Sequence, residues 1–302
     1  MSKKTNETIE SSIVGGAGIC GMIYALRNHI DAIYEKHDKT GGKIYTCYQN
    51  GVMYDLGYAW FYEREKTMMK YVSDYCDIID FPCQSAEYFI KDIIDELYEF
   101  KDFTHEYSTF SEFAQTKIGT YGYECIKNHT TLPMNEDPHN ILQTLYYRAS
   151  KRKTVKGGMQ EFVNALEKDC INKGISIYIN TEAPQNSIYM ISSSKAMCSI
   201  VVRFIEEPFT NCEEVLPSND GFNRITPIDN NMCVLYSSKP WTIIDTEDEL
   251  KDIIHGVLMD CYPQKVFRFD TVFSPHICFW DKQEGWYNET YSFEDSIKNK
   301  AI

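Results

Sequence analysis

One stretch near the amino terminus restricts the fold of this chain more than any other. Ile13-Val14-Gly15-Gly16-Ala17-Gly18-Ile19-Cys20-Gly21 reads as a strand end running into a G-x-G-x-x-G turn and then a helix. Gly16 permits the tight turn, Gly18 lets backbone approach a pyrophosphate, and Gly21 lets the helix pack on the strand. The unpaired N–H groups and positive dipole end of such a helix attract phosphate. Met22 to Leu26 continues the helix, and Ala32-Ile33-Tyr34 reads as a second short strand ending at Glu35. A carboxylate there can accept hydrogen bonds from a ribose. Two parallel strands joined by a helix make an α/β unit.

Glycine-rich turns are common, so the residues that follow carry weight. Gly41-Gly42-Lys43 comes six residues after Glu35, and Gly51-Val52-Met53-Tyr54-Asp55-Leu56-Gly57 reads as a strand and turn. Farther along, Val155-Lys156-Gly157-Gly158-Met159-Gln160-Glu161-Phe162 precedes a helix and a strand over Gly174 to Thr181.

These four blocks resemble the flavin-containing amine oxidase family, within the wider group of protoporphyrinogen oxidases and phytoene desaturases. That family runs I-x-G-G-G-x-x-G, then E-x-x-x-x-x-G-G-[RK], then G-x-x-x-D-x-G-G, with a later G-G-M helix returning to the cofactor domain. The resemblance implies a Rossmann-like FAD-binding domain of the GR2 type, with an inserted helical region and a mixed sheet and helix substrate domain. It places FAD against Gly16, Ala17, Gly18, Gly21, Glu35, Gly42, Lys43, Gly57 and Ala183. Lys43 would set a positive charge near the phosphates or the flavin edge. It implies oxidation of a small molecule, an amine or an apolar compound, by hydride transfer to flavin; no catalytic residue is assigned.

The chain also departs from the pattern. Gly16 to Glu35 is about one helical turn shorter than usual. Tyr58 stands at the second glycine of the D-x-G-G element, and Ala183-Pro184 follows Asn180-Thr181 where members make a backbone contact to adenine. The strand expected next has no recognisable pattern, and the chain is shorter than typical members. Tyr291 to Ile302 resembles the start of the family's flavin-closing helix, without the glycine-rich loop before it; Lys239 before Pro240-Trp241 is a weak match to a lysine near the flavin. Two alternatives therefore stand beside the FAD enzyme: a non-catalytic relic that keeps the dinucleotide core, and an NAD-dependent oxidoreductase.

The expected division is residues 1–60 and 151–205 for the FAD-binding domain, 61–150 for the helical region and 206–302 for the substrate domain. Helices are predicted over Lys66 to Asp80, Glu87 to Tyr98 and His139 to Ser150, with Ile90, Ile93, Ile94 and Leu97 on one face. Aromatic residues from Tyr88 to Phe113 would pack these helices or line a substrate cavity. Tyr121-Gly122-Tyr123 and Pro133 to Pro138 read as loops, and Lys151-Arg152-Lys153 as a solvated connection. Thr246-Glu247-Asp248-Glu249 is a capping box opening a helix that stops before Pro263. Strands are expected over Met232 to Tyr236, Trp241 to Ile244 and Val266 to Phe273.

Composition limits the partners. The formal net charge of −14 argues against nucleic acid and against an anionic membrane surface. The 43% hydrophobic content over 302 residues suffices for a sizeable core. Eleven cysteines without a C-x-x-C pair suggest buried, reduced thiols in the cytoplasm, and no His or Cys spacing suggests a metal. Ile13 to Leu26 is too short to span a bilayer, and Arg27-Asn28-His29 is unlike a signal cleavage site. Nothing in the sequence sets the oligomeric state.

Overall fold

A computed structural model describes residues 12–28, 30–49, 52–189, 195–209, 213–217, 222, 224–237, 247–272 and 276–280. The glycine turn links β1 (Ile13–Gly15) to α1 (Ile19–Arg27), which leads to β2 (Ala32–Tyr34). An antiparallel hairpin follows, β3 (Ile44–Gln49) and β4 (Val52–Gly57), then β5 (Phe61–Tyr62), α2 (Lys66–Ser73) and β6 (Ile78–Asp80). The predicted helix over 66–80 thus ends early: the β-branched pair Ile78-Ile79 is taken into a sheet.

The helical region comprises a 3₁₀ helix (Ala86–Ile90), α3 (Lys91–Tyr98), a second 3₁₀ helix (Lys101–Glu106), α4 (Phe110–Asn128) and α5 (Pro138–Arg148). Ile90, Ile94 and Leu97 pack with Phe110, Phe113, Ile126, Ile141 and Leu145 in one core. The expected loop Tyr121-Gly122-Tyr123 lies inside α4. A helical glycine costs about 1 kcal/mol relative to alanine, but burial of Tyr123 and Ile126 outweighs that local preference. The backbone break falls instead at Gly119, whose φ of +74° only glycine adopts readily.

The chain then forms β7 (Arg152–Val155), α6 (Met159–Asn172), β8 (Ser176–Tyr178) and β9 (Ile188–Tyr189). β8 and β9 complete a parallel sheet in the order β8-β2-β1-β9. Its core gathers Val14, Met22, Ile23, Ile33, Phe162, Val163 and Leu166. β9 is the strand that the sequence left without a pattern; at two residues it is too short to show one.

A second sheet contains β10 (Lys195–Phe204), β11 (Arg224–Asp229) and β12 (Met232–Ser237), covered by α7 (Glu247–Cys261) and extended by β13 (Phe269–Val272) and β14 (His276–Trp280). β10 falls within the expected 151–205 return segment, yet its hydrogen bonds are to β12, β13 and β14. Alternation along these strands serves both faces. Ile200, Val202, Cys233 and Leu235 pack beneath Ile254 and Leu258 of α7, whereas Val201, Val234 and Tyr236 meet Trp60, Phe81 and Cys83. The expected strand Trp241 to Ile244, Lys239 and the tail from Tyr291 lie outside the described residues.

The basic stretch at 151–153 is not a solvated connection. β7 is the middle strand of the β5-β7-β6 sheet, and its period of two turns Arg152 fully inward while Lys151 remains exposed. Arg152 Nη2 lies 2.7 Å from Glu214 Oε1, and its guanidinium sits 4.2 Å from the Trp60 ring centroid. Glu214 also meets Arg224 at 3.2 Å and accepts from Thr226. Nearby, Glu87 pairs with Arg148 at 3.1 Å and accepts from Thr130. This buried network joins the helical region, β7 and the second sheet.

Removing one partner of such a network leaves a charge in the interior. Glu214→Leu is expected to destabilise the chain by about 3–5 kcal/mol, against at most about 1 kcal/mol for Lys151→Ala on the surface; urea unfolding measures both.

Burial raises the Glu87 carboxyl, but Arg148, Arg224 and Arg152 outweigh it and hold the group below its ordinary value of 4.5. The native state therefore binds this proton less tightly than the unfolded chain. Its contribution is complete above pH 4.5 and is lost as pH falls through the lowered value. Glu87→Gln should flatten the acid limb of a stability–pH profile, which denaturant melts at successive pH values would show.

Candidate dinucleotide site

Three backbone segments meet at the carboxyl ends of β1 and β2. Gly16 leaves β1 with φ +107° and donates its N–H to the Tyr34 carbonyl at 2.7 Å. α1 then packs so tightly over the turn that a Cβ on Gly21 would lie 1.9 Å from the Gly16 carbonyl oxygen. Only hydrogen fits there. Gly18 forms the N-cap of α1 and makes no side-chain cap hydrogen bond.

The second glycine pair closes against the first. Gly41 donates to the Ala17 carbonyl at 2.9 Å and pairs with Gly18 in a parallel bridge. At Gly42, φ is +60° and a Cβ would stand 3.2 Å from Gly18 Cα. A Cβ on Gly18, by contrast, would meet nothing nearer than Gly42 Cα at 3.8 Å. The two motifs therefore enclose an open cradle above Gly18, at the positive end of α1.

Glu35 is buried, and its carboxylate is held by two backbone donors. Ala17 N–H reaches Oε2 at 2.9 Å and His37 N–H reaches Oε1 at 3.0 Å. Each oxygen keeps a further lone pair for an incoming hydroxyl. The segment after β8 is tied to the same place: Glu35 donates to the Tyr178 carbonyl, Thr181 to that of Glu35, and Asn180 to that of His37. Ala183 follows two residues later, half-buried on this edge.

Lys43 and Gly57 lie on the neighbouring hairpin, where Gly57 pairs with Ile44 and Tyr58 N–H donates to the Lys43 carbonyl at 3.0 Å. The structure thus brings Gly16, Ala17, Gly18, Gly21, Glu35 and Gly42 into direct contact and sets Lys43 and Gly57 alongside. Burial, with Glu65, Tyr62 and Cys20 around it, pushes the Tyr58 phenol well above its usual value. A neutral phenol occupies the position of the missing glycine.

Sequence reasoning missed the support beneath this site. Asp55, inside the recognised third block, accepts Met159 N–H at 3.2 and 3.3 Å, while Thr46 accepts Gln160 N–H at 3.1 Å and bonds to Asp55. Together they cap α6. Burial raises the Asp55 carboxyl against the lowering pull of Thr46 and Met159. Gly158 has φ +95°, and a Cβ there would be 2.8 Å from Thr46 Cγ2. The signal lay in two glycine motifs about a hundred residues apart that serve one junction.

Among the described residues, no cluster of His, Cys, Asp or Glu could hold a metal ion, and no helix is long and apolar enough to cross a membrane. Cys83, Cys170 and Cys233 are buried free thiols, but Cys20 in the first turn of α1 is exposed.

A parallel sheet, a glycine turn and an acid after the second strand define a Rossmann-like dinucleotide-binding fold. Residues 13–75 match the model of the NAD(P)-binding Rossmann-like domain. No curated protein matches the sequence. Among solved structures, putrescine oxidase bound to putrescine is 12% identical, with a TM-score of 0.59 over 86% of this chain and 83% of that one. A protein from Exiguobacterium sp. 255-15, to which protoporphyrinogen oxidase activity has been ascribed, is 9% identical, with a TM-score of 0.61 over 94% and 89%. An oxidoreductase from Methanosarcina mazei is 10% identical, with a TM-score of 0.58 over 89% and 88%. The chain has the fold of these proteins, the fold that its four motifs imply.

The two glycines predict opposite behaviour. Gly21→Ala must push α1 off the turn and is expected to cost about 3 kcal/mol or more, read as lost soluble yield and a lower Tm. Gly18→Ala should change stability by no more than about 0.5 kcal/mol while filling the cradle, so its defect should appear only in dinucleotide binding by calorimetry.

Proposed function

We propose that this chain is an FAD-dependent oxidoreductase acting on a small-molecule substrate, an amine or an apolar compound as the family resemblance implies. The observation that carries this reading is the packing of Gly41-Gly42 against Gly18. A second glycine pair belongs to the flavoprotein pattern, and an NAD-binding turn alone leaves it unexplained. The backbone of Gly16, Ala17, Gly18 and Gly42, with the start of α1, would hold the pyrophosphate. Lys43 would supply countercharge, Glu35 would accept from ribose hydroxyls, Gly57 would back the flavin and Ala183 would face adenine. Bound flavin supplies the hydride acceptor; the protein supplies position and exclusion of water. Free thiols at seven described cysteines suit a reducing, cytoplasmic setting.

A second reading rests on Tyr58. A half-buried phenol replaces a glycine beside the cofactor strand, which favours a protein that binds a dinucleotide without turning over a substrate.

Purified protein incubated with excess FAD and desalted should be yellow, with flavin absorbance in stoichiometric amount. A colourless product that nevertheless binds ADP would support the second reading, and binding of NADH with fluorescence enhancement would support a nicotinamide enzyme. Glu35→Ala should weaken FAD binding by about 1–3 kcal/mol, roughly 5- to 150-fold. It should also lower Tm, because the Ala17 and His37 amides lose their acceptor.

A further inference from the structure

We propose that Phe100, Phe103 and Tyr107 form a recognition site for a quaternary ammonium compound with a polar or anionic tail, and that Lys117 of this chain now occupies it. Lys117 projects from α4 toward the second 3₁₀ helix. Its Nζ stands 5.4 Å from the Phe100 ring centroid, 4.9 Å from that of Phe103 and 5.5 Å from that of Tyr107. Three ring faces around one cation make a cage, and each distance lies within the range of cation–π attraction.

The cage is poorly matched to a lysine. A primary ammonium carries three N–H donors and is strongly hydrated, whereas ring faces offer a quadrupole and no strong acceptor. Among the described residues, Lys117 has ring contacts and neither a hydrogen bond nor an ion pair. A trimethylammonium group gains the same attraction and leaves no donor unsatisfied. The half-buried, flexible lysine is therefore a displaceable occupant.

The surroundings admit a ligand. Phe103 is 45% exposed, so one wall of the cage faces solvent. Tyr107 also lines an open cavity of about 540 Å³, within the size range of small-molecule sites. Asp102 and Asp137 line that cavity with Lys101, His105 and His139. The two carboxylates favour a cation nearby, while the Lys101 ammonium and the two imidazoles offer hydrogen-bonding partners to an anionic or polar tail. Gly119 breaks α4 two residues beyond Lys117, and a Cβ there would meet nothing within 4 Å. This inference is independent of the dinucleotide site.

Calorimetric titration of the full chain with choline tests it. Lys117→Ala should bind choline at least ten-fold more tightly than the unaltered protein, and Lys117→Gln should do the same. The uncharged isostere 3,3-dimethylbutan-1-ol should bind at least ten-fold more weakly than choline. Adding Phe103→Ala to Lys117→Ala should abolish binding with Tm unchanged. Absence of saturable choline binding to either Lys117 variant would overturn the proposal, as would equal binding of the uncharged isostere.

Discussion

The carboxylate and backbone of Glu35 tie together three stretches of chain that are remote in sequence. Its side chain holds the amide of Ala17 in the glycine turn and that of His37 just beyond β2; its backbone bonds to Tyr178 and Thr181 after β8. A buried carboxylate that accepts backbone N–H groups gains charge-assisted hydrogen bonds and avoids the cost of desolvation without partners. The same contacts that make this acid tolerable in the interior fix the turn, the sheet edge and the return segment in one geometry. A ribose approaching this point would meet oxygens already oriented by the fold.

The rest of the molecule braces that point from below. The α1 helix is pressed onto β1 through the missing side chain of Gly21, and α6 is seated by the Asp55–Thr46 cap. The second sheet is buried on both faces, by α7 on one and by the Trp60–Phe81 cluster on the other. The network of Glu87, Arg148, Arg152, Glu214 and Arg224 occupies the seam. Displacing either partner of a pair there would leave a bare charge in the interior.

The sequence disclosed most where local backbone geometry demands a particular residue. Gly16, Gly18, Gly21, Glu35 and the Gly41-Gly42 pair are short-range signals, and the motif at Gly157-Gly158 marks the return to the first sheet. What stayed hidden depends on partners distant along the chain. Arg152 looks like part of a basic surface run until β7 is known to be a central strand. Tyr121-Gly122-Tyr123 has loop composition and becomes helical because Tyr123 and Ile126 find a core. β9 shows no periodicity in two residues, and β10 reads equally well as part of either sheet. The Asp55 cap was hidden for the same reason: a carboxylate declares its role only when the helix it caps arrives.

That late arrival bears on how the chain reaches its native state. The recognised domain spans residues 13–75, yet α6, β8 and β9, which complete its core and sheet, lie beyond residue 158. A ribosome adding 5–20 residues per second would need roughly 5–20 s to supply the intervening hundred residues. During that interval β1 and β2 have unpaired edges and an uncovered apolar face. The helical region, whose buried apolar core lies within residues 90–149, can condense first and shorten the loop that the returning segment must close. Because β8 and β9 join β1 and β2 from so far along the chain, the sheet beneath the nucleotide cradle would be completed late in synthesis.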